Sequence, residues 1–384
     1  MKEGWEYKKL GLLATYINGF AFAPNDWSTE GKPIIRIQNL TDKSAHFNRC
    51  VRTDIPKKYK VVNGDVLISW SATLGVFEWD REDSWLNQHI FKVVFDKIEI
   101  NKQFFKYIVE TSLEEMSKHT NGATMKHIRK GDFDNILVPI PPLKNQEEIA
   151  TYLDSAFAKI DAMKANAEKA LDEAKALFQA SLKEMLEPKE GWEETTIGDI
   201  CEIIRGKRFV RADIVEDGIP CIHYGDIYTY YGLSATKTRG FIKQELAKKM
   251  RFANKNDVVV VQAGENNWDI GVGVAYFGEE PAAVHDACFI LKHKQDPMYI
   301  SYYLRSYDYH WYLLDYVHEG KICSFLKPAL ENAPIPLPPI SEQQSIVATL
   351  NDIKSKVDHL QTNYNKITQE CDTLKQAILR QVFE

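Results

Sequence analysis

The chain is written twice, which limits it to folds assembled from two like halves. IPPLKNQEEIATYLD, residues 140–154, returns 197 residues later as LPPISEQQSIVATLN, residues 337–351. GWEYKKLGLLATYINGFAF, from Gly4, matches GWEETTIGDICEIIRGKRF, from Gly191, at an offset of 187. Gly11/Gly198, Gly19/Gly206 and Phe22/Phe209 are identities within that match, and the same offset carries KPIIRIQNL onto IPCIHYGDI. The offset grows to 192 where GDVLISW meets NDVVVVQ, and to 198 where FKVVF meets FILKH. Length changes therefore fall between strand-like segments, where loops absorb them.

After the proline pairs Pro141-Pro142 and Pro338-Pro339 the register locks at 197 and holds to the last residue. These segments contain no Gly or Pro from Asn145 to Glu187 or from Glu342 to Glu384. Proline before a periodic apolar run is a helix-start signal, with Asn145 and Ser341 as nearby N-cap candidates. Ile346, Leu350, Ile353, Val357, Leu360, Tyr364, Ile367, Cys371, Leu374 and Ile378 follow the alternating four-three spacing of a heptad seam. The matching positions in the first copy are Ile149, Leu153, Ala156, Ile160, Met163, Ala167, Ala170, Ala174, Leu177 and Ser181, a thinner stripe. A helix of forty-odd residues with one apolar stripe needs a companion, and the chain supplies one of equal length. The pattern predicts an α+β protein with four parts: residues 1–140 a globular domain, 141–187 a long helix, 188–336 a second domain, 337–384 a second helix. The two helices should pair as an antiparallel coiled coil, giving the two similar mixed α/β domains approximate twofold symmetry.

Composition narrows the class. The chain is 44% hydrophobic and 27% charged, as soluble globular proteins are. No apolar run reaches the ~20 residues of a membrane span, and the start lacks a signal-peptide core. Six scattered cysteines without a CxxC pair predict a reduced, cytoplasmic chain with no zinc site. A net charge of −6 argues against a free-standing binder of polyanions. Its distribution is uneven, however: residues 1–140 carry 20 Lys and Arg against 18 Asp and Glu, and residues 188–336 carry 17 against 21. No Asn/Asp-Pro-Pro-Tyr/Phe run, Walker loop or metal-spaced cluster supplies catalytic chemistry.

A globular domain, a helix opening on a proline pair with a Gln-rich start, and then both again: this arrangement resembles the specificity subunit of type I restriction-modification systems. The resemblance covers essentially the whole chain, and its most specific pieces are the IPLPPISEQQSIVATL-like helix starts and the GWE…LG openings. It implies two target-recognition domains that each read half of a bipartite site in double-stranded DNA from the major groove. It also implies that the helices set the spacer between the halves. Two DNA-methyltransferase subunits would dock, joined in a restriction complex by two restriction subunits. The chain itself would be non-catalytic and hold no cofactor, with S-adenosylmethionine bound on the methyltransferase partner. The competing readings are a two-headed coiled-coil scaffold for proteins without DNA specificity, and a self-contained DNA enzyme.

Polar side chains just beyond strand-like runs are candidates for DNA contact. Arg36, Gln38 and Asn39 follow one such run, and His223 and Tyr224 hold the same place in the second copy; Arg and Gln have the bidentate geometry for guanine and adenine edges. SWSATLG offers Ser69, Ser71 and Thr73, and its longer counterpart VQAGENNWDIG offers Gln262, Asn266 and Asn267. Loops that differ between copies are what two different half-sites require. HTNGATMKHIRKG supplies Asn121, Thr124, Lys126, Arg129 and Lys130; VHEGKICSFLKPA supplies Lys321, Ser324 and Lys327, with backbone amides near Gly and lysines suited to phosphate oxygens. RGKRFVR adds Arg205, Lys207, Arg208 and Arg211, the densest basic run. Capping or bridging strands inside the domain competes with DNA contact for Arg36, Gln38, Asn39, His223 and Tyr224, ordinary loop drift competes for the differing loops, and a solvated surface competes for Lys126, Lys130, Lys321 and Lys327.

Overall fold

The computed structural model describes residues 4–119 and 129–383. The chain divides into two compact units, Met1–Asn166 with Lys366–Glu384, and Ala167–Asn365. Each therefore holds one globular domain, part of the helix that follows it, and part of the other long helix.

In the first unit one sheet has the order Thr15–Asn18, Ile90–Val94, Val66–Ser69, Gly75–Glu78. A second has the order Asn48–Cys50, Lys32–Ile35, Ser84–Leu86, Lys60–Val61. In the second unit the same orders recur. Cys201–Arg205, Cys288–His293, Val258–Val261 and Gly273–Tyr276 form one sheet, with Ser234–Ala235 added at its edge. Gly240–Ile242, Ile219–Ile222, Ala282–Val284 and Phe252–Ala253 form the other, with Ile214–Val215 added. The sequence repeat is thus a repeat of sheet topology. Most pairings are antiparallel, but Lys32–Ile35 runs parallel to Ser84–Leu86, Ile219–Ile222 to Ala282–Val284, and the edge strand Ser234–Ala235 to Gly273–Tyr276. VVVV in the second copy is buried on both faces, which is why it reads as a continuous apolar run.

The identity Gly19/Gly206 has a steric cause. A Cβ on Gly19 would lie 1.9 Å from the Asn87 carbonyl oxygen, and one on Gly206 would lie 2.1 Å from that of His285. Only glycine lets the two chain segments approach this closely.

The long helices run Leu143–Leu186 and Ile340–Phe383, 44 residues each. Both begin earlier than the N-cap candidates Asn145 and Ser341, which fall inside the first turn. Asn145 and Gln146 donate their backbone N–H to the Pro142 carbonyl; Glu342 and Gln343 donate theirs to the Pro339 carbonyl. In each unit the helix segments pack antiparallel. In the first, Lys375 pairs with Asp161 at 2.6 Å and Asp372 with Lys164 at 2.9 Å, one number falling as the other rises. In the second, Leu182 and Leu186 near the end of one helix share a core with Ile346, Val347 and Leu350 near the start of the other.

The seam departs from the heptad expectation. Met163 is 57% exposed and Leu177 63%, while Ile160, Leu171 and Leu182 are buried. That spacing of eleven follows three α-helical turns, about 10.8 residues, so the buried stripe tracks an unsupercoiled helix and the strict four-three count drifts off it. In the second helix Leu360 and Leu374 are exposed, while Leu350, Val357 and Cys371, at heptad spacing, are buried.

Candidate nucleic-acid interface

The second unit gathers residues from five separate stretches. Arg208, Phe209, Val210, Arg211, His223, Tyr224, Ala263, His285, Asp286, Ala287 and Ile322 line a cleft of about 340 Å³. Four of those stretches are candidates in the sequence: the basic run, the residues after Ile219–Ile222, the differing loop, and VHEGKICSFLKPA; the fifth is His285–Ala287. Ala263–Gly264 pairs antiparallel with Cys323–Ser324, which brings Ile322 and Lys321 alongside. Lys207, Arg208, Arg211 and Lys321 are exposed, and no ion pair is formed by any of them among the described residues. Those cations face solvent with their charge uncompensated, as a phosphate-holding rim requires.

The floor of the cleft is aromatic. The His223 ring lies 4.2 Å from Tyr224 and 4.7 Å from His285, and Phe209 meets His285 edge-on at 4.9 Å. Burial holds the His223 imidazole below its usual range. His285 is lowered by burial and then by the neighbouring His223, against smaller opposing effects of Asp286 and the Phe209 carbonyl. Both rings are thus neutral near pH 7. His223 Nδ1 accepts the Gly225 N–H at 3.3 Å and His285 Nδ1 accepts the Ala287 N–H at 3.1 Å. The proton of each neutral ring therefore sits on Nε2. Asp286 Oδ1 approaches His285 Nδ1 at 3.3 Å, a contact that becomes an ion pair only on protonation.

In the first unit Arg36 stands at the N-cap of the short helix Ile37–Thr41, its guanidinium 5.4 Å from the Trp27 ring centre. Gln38 is exposed, with a long 3.4 Å bond to the His46 carbonyl. Thr73 and Arg129 are exposed; Lys130 is exposed and pairs with Asp134. Asn121, Thr124 and Lys126 lie outside the described residues.

Several candidates are spent inside the protein. Asn39 is fully buried; its side chain accepts the Arg36 N–H and donates to the Ala45 and His46 carbonyls. Ser69 and Ser71 are buried, and the Ser69 hydroxyl donates to the Ser71 carbonyl. Gln262 is buried and donates to the Phe325 carbonyl at 2.7 Å. These four shape the loops that carry exposed neighbours, because a buried polar group must find its partner within the fold. Arg205 Nε donates to the Asp286 carbonyl, Asn267 donates to Glu319, and Asn266 turns its oxygen to the Trp268 N–H. Ser324 is half-buried in its strand and Lys327 pairs with Glu331.

Sequence reasoning missed His285 and Asp286 in the second unit and Asn87 in the first. The available signal was the glycine identity, since Gly19 and Gly206 close onto those two backbones. A larger cavity of about 880 Å³ lies elsewhere in the second unit, where Trp268 stacks on His310 at 4.2 Å. Arg305 at its edge donates to the Gly273 and Gly232 carbonyls, and burial pulls its guanidinium down to about 10.

Two similar sheet scaffolds with differing polar rims, each joined to a long helix, describe a two-part recognition protein. The chain belongs to the type I restriction modification DNA specificity family, whose domain it matches twice, over residues 2–172 and 189–369. It is 25% identical to the EcoBI specificity subunit of Escherichia coli, over 99% of this chain and 86% of that one. It is 24% identical to the MjaVIII specificity subunit of Methanocaldococcus jannaschii, over 93% and 87%. In fold it resembles a chain from a structure of type I R-M complex assembly and conformational transition (TM-score 0.76, 18% identity, 100% and 98% covered). It also resembles the HsdS subunit from Thermoanaerobacter tengcongensis (TM-score 0.57, 19% identity, 100% and 97% covered). A protein-only scaffold finds no support in this placement. No helix among the described residues is long and apolar enough to cross a membrane.

Proposed function

We infer that this chain reads a bipartite DNA site with one domain per half-site, the two long helices setting the spacer. It directs two adenine methyltransferase subunits, and in a restriction complex two restriction subunits, while performing no chemistry itself. S-adenosylmethionine belongs to the methyltransferase partner. The observation that carries this reading is one sheet topology used twice, with Arg36 in one copy where the other has His223. A shared scaffold cannot encode two different half-sites, so the differing residues on it must. Arg36, Gln38, Thr73 and Arg129 in the first domain, and Lys207, Arg208, Arg211, His223, Tyr224 and Lys321 in the second, are the contacts we assign to DNA. The overall negative charge is consistent with partners supplying part of the positive field around the duplex. Expressing the chain with its cognate methyltransferase and mapping methylated adenines tests the reading. A split sequence, marked only when both proteins are present, is expected. Unmarked DNA, or marking without sequence preference, would overturn it.

A further inference from the structure

Two parallel strand pairs, one in each unit, end in the same way. In the first, Ile35 stands opposite Leu86, so the next residues, Arg36 and Asn87, leave the pair side by side. In the second, Ile222 stands opposite Val284, so His223 and His285 leave it side by side, with rings 4.7 Å apart. Gly19 and Gly206 press onto the carbonyls of Asn87 and His285, which fixes both positions in space. Backbone surroundings are therefore matched while the four side chains share no chemistry across the copies.

Each pair also has unused hydrogen-bonding capacity. Arg36 forms no ion pair among the described residues, and Asn87 Oδ1 is a buried acceptor with no partner. His223 spends Nδ1 on the Gly225 N–H and keeps its Nε2 proton. A buried polar atom without a partner marks a place where a ligand or water completes the bond. Guanidinium and carboxamide are the groups that address guanine and adenine edges in the major groove, whereas a neutral imidazole offers a single donor to a base acceptor. His285, held at Nδ1 by the Ala287 N–H, sets the orientation of His223 through ring contact.

We propose that the residues directly following each parallel strand pair, Arg36 with Asn87 and His223 with His285, form the specificity-determining pair of their domain. Exchanging the pairs then exchanges part of the half-site preference. This rests on the DNA-reading function inferred above and narrows it to two positions per domain.

The test uses the whole chain assembled with its methyltransferase on a library of duplexes randomised in both half-sites. The wild-type complex is read first; if it marks no split sequence, the functional reading itself is lost and with it this proposal. Given a wild-type preference, His223→Arg with His285→Asn should shift it by roughly ten- to a hundredfold at one or two positions of one half-site. The other half-site should be unchanged. Arg36→His with Asn87→His should do the reverse. An assembled double variant with both preferences intact overturns the proposal. If a double variant does not assemble, His223→Asn replaces it, because Asn retains an N-cap acceptor for Gly225. An unchanged half-site there overturns the proposal equally.

Discussion

Gln343 Oε1 accepts the backbone N–H of Asp296 at 3.0 Å, while its Nε2 donates to the Pro338 carbonyl at 2.8 Å. Gln146 repeats the arrangement, accepting from the Asn101 N–H at 2.9 Å and donating to the Pro141 carbonyl at 2.9 Å. Both amides are buried. Each thereby ties the start of a long helix to the start of a shorter helix, Lys102–His119 or Pro297–Tyr303. Gln343→Leu leaves a buried N–H and a carbonyl without partners and should cost about 1–3 kcal/mol. Urea unfolding of the variant should show a lower midpoint, with amide exchange accelerated first at residues 296–303. Wild-type exchange there would show that the tie carries no load.

A second matched contact links the same elements. The Tyr302 hydroxyl donates to Asn351 Oδ1 at 2.7 Å, and Tyr107 donates to Asp154 at 2.6 Å. Burial pushes the phenols of Tyr228, Tyr231 and Tyr302 up to about 12. A phenol raised in the folded state favours folding fully below pH 10, and that contribution fades as pH climbs from 10 to 12. Alkaline titration should therefore show these tyrosinates appearing together with loss of structure in the second unit. A smooth titration near pH 10 with structure retained would contradict the burial.

These ties explain what could be read from the sequence and what could not. Gln146/Gln343 and the proline pairs appear as identities because one set of bonds is built twice. Gly19/Gly206 likewise records a close approach that no other residue permits. A heptad count places Met163 and Leu177 on the seam, and both lie off it because a heptad and an 11-residue repeat differ by a drift that accumulates only over several turns. Asn39, Ser69 and Gln262 looked like DNA contacts because a polar residue after a strand serves equally well as an internal cap; burial decides, and burial is a tertiary property. His285 carries no signal of its own in the sequence because its neighbour His223 lies 62 residues away and becomes adjacent only through parallel pairing.

Acid should act selectively on the second unit. Burial holds the imidazoles of His223, His285 and His310 below their usual range and brings that of His293 down to about 4. Imidazoles held neutral in the folded state contribute stability that is present above pH 6.5 and lost as pH falls toward 4. The urea midpoint of the second unit should drop between pH 7 and pH 5. Replacing His293 by Phe, which keeps a flat apolar ring in place, should blunt that drop. An unaltered pH slope in the variant would remove His293 from the account.

If the long helices set the spacer, their length is a handle on it. Seven residues add about 10 Å at 1.5 Å per residue, close to three base pairs at 3.4 Å. Insertion of one heptad at equivalent positions of both helices should lengthen the spacer by about three base pairs and leave both half-sites as they were. Sequencing of methylated adenines in the assembled complex reads this directly. An unchanged spacer would mean that the distance is set elsewhere.

Gly206 connects stability to reading. A Cβ there would meet the His285 carbonyl oxygen at 2.1 Å and that of Val284 at 2.5 Å, backbone atoms that cannot rotate away. Gly206→Ala must therefore push the chain after Cys201–Arg205 off the residues that follow Ala282–Val284. Overpacking of this kind costs about 1–3 kcal/mol. The displaced segment carries His285, so preference at one half-site should weaken by more than the lost stability explains. Gly131 is the control: a Cβ there has open space, and Gly131→Ala sits within the helix Lys130–Asp134, where alanine is favoured. Thermal unfolding and half-site preference should both be near wild type in that variant. Loss of preference in both variants alike would show that the effect is not specific to where His285 stands.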